Sequence, residues 1–461
     1  MIKLPLDEIC RIVRGRRLGS SAPLGVCGVS TDTRTAGAGE LFVALRGPQF
    51  DAHAFLERAA AAGCAAALVC RDARVPPDQA QRFPGGLIAV DNTLVALGEL
   101  GAWHRTQVAA AVVAVTGSNG KTTVKRMIHH VLSRRLKGTC SPKSFNNDIG
   151  VPLTLLGVTP GDDYVVCELG SNAPGEIAHL ARMVRPDVAV ITSIGETHLE
   201  KLQSVQKVAV EKASLLDYLE PDGLAITWAD SSDLEKLLRL YRRRVVRFGL
   251  SATAELRLTA WRQEGPAQRF CLNDHVWGTL SLPGQHMACN ALAAIAVAQK
   301  FGFSQEEAVA ALADFAGADM RLAWERCGKV TLINDAYNAN PSSLAAAGRV
   351  LGNWGKGRKV LVAGDMRELG DDAQAIHRRV GAELAGAGVD FLIGVGELGR
   401  YIAQGAAEAG AGAQGFDTVE QASQALGDLL HAGDVILIKG SRAAAMERLL
   451  DPIRSAFGGP E

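Results

Sequence analysis

The apolar run 109–114 passes directly into Val115-Thr116-Gly117-Ser118-Asn119-Gly120-Lys121-Thr122-Thr123, and this junction constrains the fold more than any other part of the chain. A strand that ends in glycines, followed by a lysine and two hydroxyls, predicts a turn that cradles phosphate. Gly117 and Gly120 free the backbone to aim N–H groups at an anion, Lys121 adds a point charge, and a following helix would present its positive end. Thr122 offers a hydroxyl suited to Mg²⁺. The general phosphate-loop pattern has a glycine five residues before Gly120, where this chain has Val115. The strand before the loop and the paired threonines after it still favour a nucleotide site over an ordinary turn carrying a surface lysine. Ligands of open α/β sheets bind at the carboxyl ends of strands, which is where this loop falls.

A chain of 461 residues exceeds one ordinary core and implies about three domains. Lys plus Arg equals Asp plus Glu at 49 each, so no net field favours nucleic acid or an anionic membrane surface. The nine cysteines are scattered and never spaced as CxxC, which reads as reduced thiols in a cytoplasmic protein. The segment Met1–Arg17 mixes acids, bases and short apolar pairs and is read as no signal peptide. No uncharged apolar segment reaches the ~18 residues that a membrane span needs.

The pattern of strands and breakers divides the chain. Residues 1–85, ending near Pro84-Gly85-Gly86, read as a small α/β unit with strands at 41–45 and 66–70 around a helix at 54–62. From 86 to 320, apolar strands at 112–115, 164–167, 188–192 and 224–227 alternate with helical stretches, the pattern of a parallel sheet covered on both faces. From 321 to 461 the alternation restarts, with strands at 330–333, 359–363, 391–395 and 435–438 and helices at 372–387 and 398–409. The expected architecture is α/β throughout: a small N-terminal domain, a central phosphate-loop domain and a C-terminal doubly wound, Rossmann-like domain.

Three side chains behind the loop draw notice for their positions. Glu168 ends a predicted strand, and fits a metal ligand and a strand-end acid equally well. His198 falls just past another strand and by itself reads as structural. Lys212 lies in a helical pattern over 205–219, where a lysine is ordinarily a solvated or snorkelling residue.

The loop Thr116–Thr123 resembles the TGTNGKT-type loop of the Mur ligase family, with Ser118 for the commoner Thr, and that resemblance accounts for the missing early glycine. It extends over essentially the whole chain. Asn334-Asp335-Ala336-Tyr337-Asn338-Ala339-Asn340-Pro341, Gly364-Asp365-Met366-Arg367-Glu368-Leu369-Gly370 and Lys439-Gly440-Ser441-Arg442-Ala443-Ala444-Ala445-Met446-Glu447 are similar to the DxYNANP, GDMxELG and KGSRxxxME segments of the branch that adds D-alanyl-D-alanine. Ser30-Thr31-Asp32-Thr33-Arg34 and Leu41–Gly47 resemble that branch's N-terminal domain, which holds the UDP end of its substrate. Without the resemblance, Asp32-Thr33-Arg34 reads as a polar loop with local ion pairing.

The resemblance implies an ATP- and Mg²⁺-dependent, ADP-forming ligase of peptidoglycan precursor synthesis, a cytoplasmic monomer joining D-alanyl-D-alanine to UDP-N-acetylmuramoyl-tripeptide through an acyl phosphate. It implies that Gly117–Thr123 holds the phosphates, with Lys121 on the β- and γ-phosphates. Thr122 and Glu168 would hold one Mg²⁺, and His198 and a carbamylated Lys212 would serve a second. In Leu282–Ala291, His286 and Asn290 would bind the nucleotide, Asn290 reading the adenine, although Asn290 also suits a cap before a helix at 291–300. Arg321 would reach the phosphates and Asp335 the ribose, so that the nucleotide bridges two domains. Ser30, Thr31, Asp32, Thr33 and Arg34 would face the uridine part, Asn146 and Asn147 the muramoyl part, and Tyr337, Asn338 and Asn340 the substrate in the third domain. Lys143-Ser144 and Ala173 depart from the family, as does Ala213-Ser214 after Lys212, where K-G-E is usual. The rivals are a single-amino-acid or folylpolyglutamate-type ligase, and a nucleotide-hydrolysing switch that needs no acceptor amine.

Overall fold

The computed structural model describes residues 3–20 and 22–458. Met1 and Ile2, which open the segment read as no signal peptide, lie outside the described residues, as do Ser21 and 459–461.

The largest sheet has nine strands. Their order is Val276–Leu280, Ala267–Leu272, Leu256–Glu264, Val245–Gly249, Leu224–Trp228, Val188–Ile191, Ala111–Thr116, Tyr164–Glu168 and Gly138–Cys140. Pairs from Leu256–Glu264 onward are parallel. Alternate residues of one strand feed opposite cores. Val113 and Val115 pack with Val124, Met127 and Ile295 on one face, whereas Val112 and Ala114 pack with Val151 and Leu180 on the other. Burial on both faces is why these strands read as unbroken apolar runs. The antiparallel pairs at the far edge escaped the sequence reading. In Val276–Leu280, Trp277 and Thr279 are exposed while their neighbours are buried, so no continuous apolar run marks the strand.

A six-stranded sheet begins at Ala323–Cys327. It continues through Val330–Asn334, Val435–Lys439, Lys359–Gly364, Phe391–Val395 and Gly412–Phe416, parallel apart from the first pair. The carboxyl end of Val330–Asn334 runs into the asparagine-rich segment, that of Lys359–Gly364 into Asp365–Gly370, and that of Val435–Lys439 into Gly440–Ala445.

The N-terminal sheet orders Arg16–Leu18, Leu87–Val90, Ala66–Cys70, Glu40–Val43 and Gly28–Ser30. Leu87–Val90 pairs with both Arg16–Leu18 and Ala66–Cys70. The turn at Pro84-Gly85-Gly86 therefore lies inside this sheet rather than at its end. Gly85 donates to Ala65 O at 2.7 Å, and Gly86 takes a φ of +72°, a left-handed conformation that favours glycine. Proline and glycine here build a tight return to the sheet, which composition cannot distinguish from a linker. The helix expected over 205–219 ends at Ala213 and tightens into a 3₁₀ turn over Ser214–Tyr218. No described helix is long and apolar enough to cross a membrane.

Candidate active site

Gly117 has a φ of +142°, and a Cβ placed on it would lie 2.1 Å from Thr192 Oγ1. Gly120 has a φ of +84° and touches the Asn290 amide group in the same sense, at 2.6 Å. Neither position admits a side chain. Thr192 and Ser193, at the end of the next parallel strand, fasten the loop: Ser118 N donates to Ser193 O at 2.8 Å and Asn119 N to Ser193 Oγ at 2.9 Å. The helix Lys121–Leu132 follows at once, with its N-terminal end turned to the loop. Lys121 folds back over the turn and donates to Gly117 O at 2.7 Å, and burial holds its ammonium below the usual lysine range.

Beside the loop, Glu168 ends the strand Tyr164–Glu168 with its side chain buried. One carboxylate oxygen accepts from Thr122 Oγ1 at 3.0 Å and lies 3.2 Å from the equally buried Lys125 Nζ; the other accepts from Asn146 Nδ2 at 3.0 Å. Burying a charge is tolerable only with such partners. Lys125 was missed in the sequence, where a lysine one turn after Lys121 looks like a solvated helix face.

Lys212 is also fully buried and donates to Ser171 Oγ at 2.6 Å. Burial, helped by the nearby Lys121 charge, pushes its ammonium down to about 7. Its neighbour Glu211 accepts from Gly175 N at 2.7 Å and Ile177 N at 2.8 Å. This carboxylate caps the helix Glu176–Val184 and ties the Lys212 helix to the loop bearing Ser171. His198, with a φ of +53°, bonds through Nδ1 to Glu368 of the C-terminal sheet; burial lowers its pKa against that carboxylate's pull.

A cleft of about 990 Å³ lies between the central and C-terminal sheets. It gathers Ser118, Asn119, Gly120, Lys121, Thr122, Thr123, Asn146, Asn147, Glu168 and His198 from one side. His286, Asn290, Arg321, Asp335, Tyr337, Asn338 and Asn340 complete it. Gly117 and Lys212 are not among its lining residues: Gly117 faces Thr192 and Ser193, and Lys212 is bonded to the lining residue Ser171. Ser30, Thr31, Asp32, Thr33 and Arg34 also lie outside the lining. There Arg34 grips Asp32 at 2.6 Å and draws its carboxyl down to about 2, the local ion pairing that the residues alone suggested.

Contacts across the cleft are direct. Arg321 stacks on the Tyr337 ring at 4.2 Å and donates to Thr122 Oγ1 at 3.2 Å, and Tyr337 OH donates to Ser144 Oγ at 2.6 Å. Asp335 takes a charge-assisted bond from Lys439 Nζ at 2.6 Å. Asn290 is no helix-start cap, because its helix, Gln285–Lys300, begins five residues earlier. In the same first turns His286 is held down at about 4 by burial. Arg367, Glu368, Lys439, Ser441 and Arg442, which stand in the sequence only as parts of family signature segments, all line the cleft.

A nucleotide-loop sheet facing a second, Rossmann-like sheet across a polar cleft is the arrangement of an ATP-dependent amide ligase. The Mur ligase middle-domain model matches residues 115–298, and the Mur ligase glutamate-ligase-domain model matches 320–442. The chain belongs to the Mur ligase family. It is 37% identical over 458 residues to the UDP-N-acetylmuramoyl-tripeptide--D-alanyl-D-alanine ligase of Escherichia coli (strain K12), covering 98% of each chain. It superposes on a crystal structure of MurF from Acinetobacter baumannii with a TM-score of 0.89 and 30% identity, over 98% of this chain and 99% of that one. It also matches MurF ligase from Thermotoga maritima in complex with ADP, with a TM-score of 0.82 and 25% identity, over 93% and 97%.

Proposed function

We propose that this chain joins D-alanyl-D-alanine to UDP-N-acetylmuramoyl-tripeptide with ATP, releasing ADP and phosphate, in the cytoplasm and as a monomer. The reading is supported by full-length similarity to relatives of that name and by one observation above the rest: the phosphate loop and the asparagine-rich segment Asn334–Pro341 touch within a single cleft. A γ-phosphate on the loop and an amine on the third sheet would therefore share one space. Amide formation from a carboxylate in water is uphill; phosphorylation makes an acyl phosphate whose carbonyl the dipeptide amine attacks, and phosphate leaves.

On this reading Lys121, Arg321 and the Gly117–Thr123 backbone neutralise and orient the phosphates. His286 and Asn290 serve the adenine, Asp335 the ribose, Asn146 and Asn147 the muramoyl group, and Tyr337, Asn338 and Asn340 the dipeptide side. Ser30, Thr31, Asp32, Thr33 and Arg34 serve the uridine end in a first domain assigned to about residues 1–85 and the strand that follows. The central domain then runs from beyond Val90 to 320, and the third spans 321–461.

Thr122 Oγ1 and Glu168 suit Mg²⁺: hard oxygens of one net charge, adjacent at a cleft wall, for an ion that keeps substrate oxygens and waters as its other ligands. Bound there, the cation would offset phosphate charge. His198 and Lys212 would serve a second ion. Lys212 can do so only as a carbamate, formed when its neutral nitrogen attacks the carbon of CO₂ and one proton is released. A buried amine with a pKa of about 7 has the neutral fraction that this requires.

The test is ADP release with UDP-N-acetylmuramoyl-tripeptide and D-alanyl-D-alanine supplied singly and together, alongside single amino acids. Release is expected only with both substrates. A rate without acceptor equal to the coupled rate would sink the ligase reading in favour of a nucleotide switch.

A further inference from the structure

The chain carries no net charge, yet its charges are unevenly spread. Residues 236–254 hold six Lys or Arg and no Asp or Glu. The stretch starts in the helix Ser232–Leu238, passes through a loop at 239–244 and runs into the strand Val245–Gly249. Arg239, Arg242, Arg243 and Arg244 are all exposed in that loop. Among them Leu240 is 81% exposed, more than any other large apolar side chain of the described residues, and Leu237 on the helix is exposed as well. A single exposed leucine needs no explanation, whereas leucines set into a cluster of arginines form an amphipathic surface.

The loop is held from beneath. Tyr241 turns inward and its OH donates to Leu216 O at 3.4 Å, while Arg243 donates to the carbonyls of Leu219 and Glu220. Arg244 O accepts from Ala225 N at 3.1 Å. Fixed on that side, the backbone presents Arg239, Leu240, Arg242 and Arg244 outward. Most acids packed nearby are already matched: Asp233 pairs with Lys236, Glu235 with Arg247 and Glu220 with Arg185. Asp217 and Asp222 in the adjoining turn are left, against four arginines that have no carboxylate partner among the described residues. The local balance is positive.

We infer that the loop 239–244 is a docking site for an anionic lipid surface. Each arginine brought to such a surface multiplies the partition about fivefold, and Leu240 enters the boundary below the headgroups. A nucleic acid would use the arginines but gain nothing from Leu240, and the one aromatic ring of the loop, Tyr241, is turned into the protein rather than offered for stacking. The location fits a surface that must not block the cleft. The strands Ala111–Thr116, Val188–Ile191, Leu224–Trp228 and Val245–Gly249 are parallel neighbours. The basic loop enters the amino end of the last, and the phosphate loop leaves the carboxyl end of the first, so the two lie at opposite ends of one sheet. A molecule docked by the one keeps the other open to water-borne substrates.

The experiment is flotation of the full-length protein with vesicles of phosphatidylcholine alone and of phosphatidylcholine mixed with phosphatidylglycerol, at low and high salt. Binding is expected on the mixed vesicles only, and should be lost at high salt. Arg242→Glu combined with Arg244→Glu should lower the partition at least ~30-fold. Leu240→Ser should lower it about tenfold, the loss of one buried leucine. Urea midpoints and ADP release should be unchanged in both variants, since none of these residues lines the cleft. No binding to the mixed vesicles, equal binding to both kinds, or wild-type binding by the charge-reversed variant overturns the inference. So does wild-type binding by Leu240→Ser, which would leave the loop a contact for any polyanion, nucleic acid included.

Discussion

Asn340 donates its side-chain amide to Asn119 Oδ1 at 2.7 Å, joining the cap of a helix on the C-terminal sheet to the phosphate loop of the central one. The same Asn340 caps the helix Pro341–Gly352 by accepting from Ser343 N at 2.9 Å, and Asn119 also donates to Ser342 Oγ at 2.9 Å. One side chain thus serves a local and a cross-cleft role, and the two can be separated. Asn340→Ala should lose ~1 kcal/mol of stability as a cap and also lower kcat. Asn119→Ala, which removes the bonds to Asn340 and Ser342, should cost little stability and reduce kcat by about tenfold or more. Denaturant midpoints beside steady-state kinetics decide it, and full activity in Asn119→Ala would deny the bridge any part in turnover.

Glu168 and Lys125 are a buried pair, so each leaves the other uncompensated when removed. Glu168→Gln is expected to cost roughly 3 kcal/mol in urea unfolding, and Lys125→Met a similar amount. The double variant should recover much of that loss, because no lone charge remains. Its ligase activity should stay low if Glu168 serves a metal, so recovery of both would assign the pair to folding alone.

His377 is buried, with Nε2 accepting from Met366 N at 3.0 Å and Nδ1 donating to Ala373 O at 2.6 Å. Burial lowers its pKa in the folded protein, so the folded state binds the proton less well than the unfolded one. Stability from this group is complete above the unfolded value near 6.5, and declines as pH falls from there toward the lower folded value. Urea midpoints at pH 7 and pH 5 should fall more in the wild type than in His377→Gln. Equal slopes would remove His377 as a source of acid lability in the loop that carries Arg367.

If Lys212 acts as a carbamate, Lys212→Ala should nearly abolish turnover, and a short carboxylic acid added to the assay should restore part of it by supplying the oxygens that a carbamate would present. Depletion of dissolved CO₂ should slow the wild type and leave the acid-rescued variant unaffected. Absence of rescue, with the variant folded by circular dichroism, would leave Lys212 as a buried structural amine bonded to Ser171.

The strands buried on both faces were legible because each is an unbroken apolar run, and the phosphate loop was legible because its glycines, lysine and threonines are adjacent in sequence. The antiparallel strands over 256–280 were hidden, since a sheet with one wet face breaks its apolar pattern with residues such as Trp277 and Thr279. At the site, Lys125 and Glu211 passed unnoticed for a shared reason. A charged residue on a helix is ordinarily solvated, and only the fold brings Glu168 to one and the amides of Gly175 and Ile177 to the other. Lys212 stood out by resemblance alone, since a lysine in a helical pattern is ordinarily solvated, whereas the fold buries it against Ser171.

The position of Leu87–Val90 governs how the molecule can be taken apart. It is an interior strand of the N-terminal sheet, bonded on both sides. A fragment stopped at the glycine turn before it would carry two bare strand edges, of Arg16–Leu18 and Ala66–Cys70, with Leu68 and Val69 newly exposed, and such edges recruit other chains. A stable excised N-terminal piece must extend beyond Val90. The segment that looks most like a place to cut is the one whose cutting would convert a folded unit into an aggregating one.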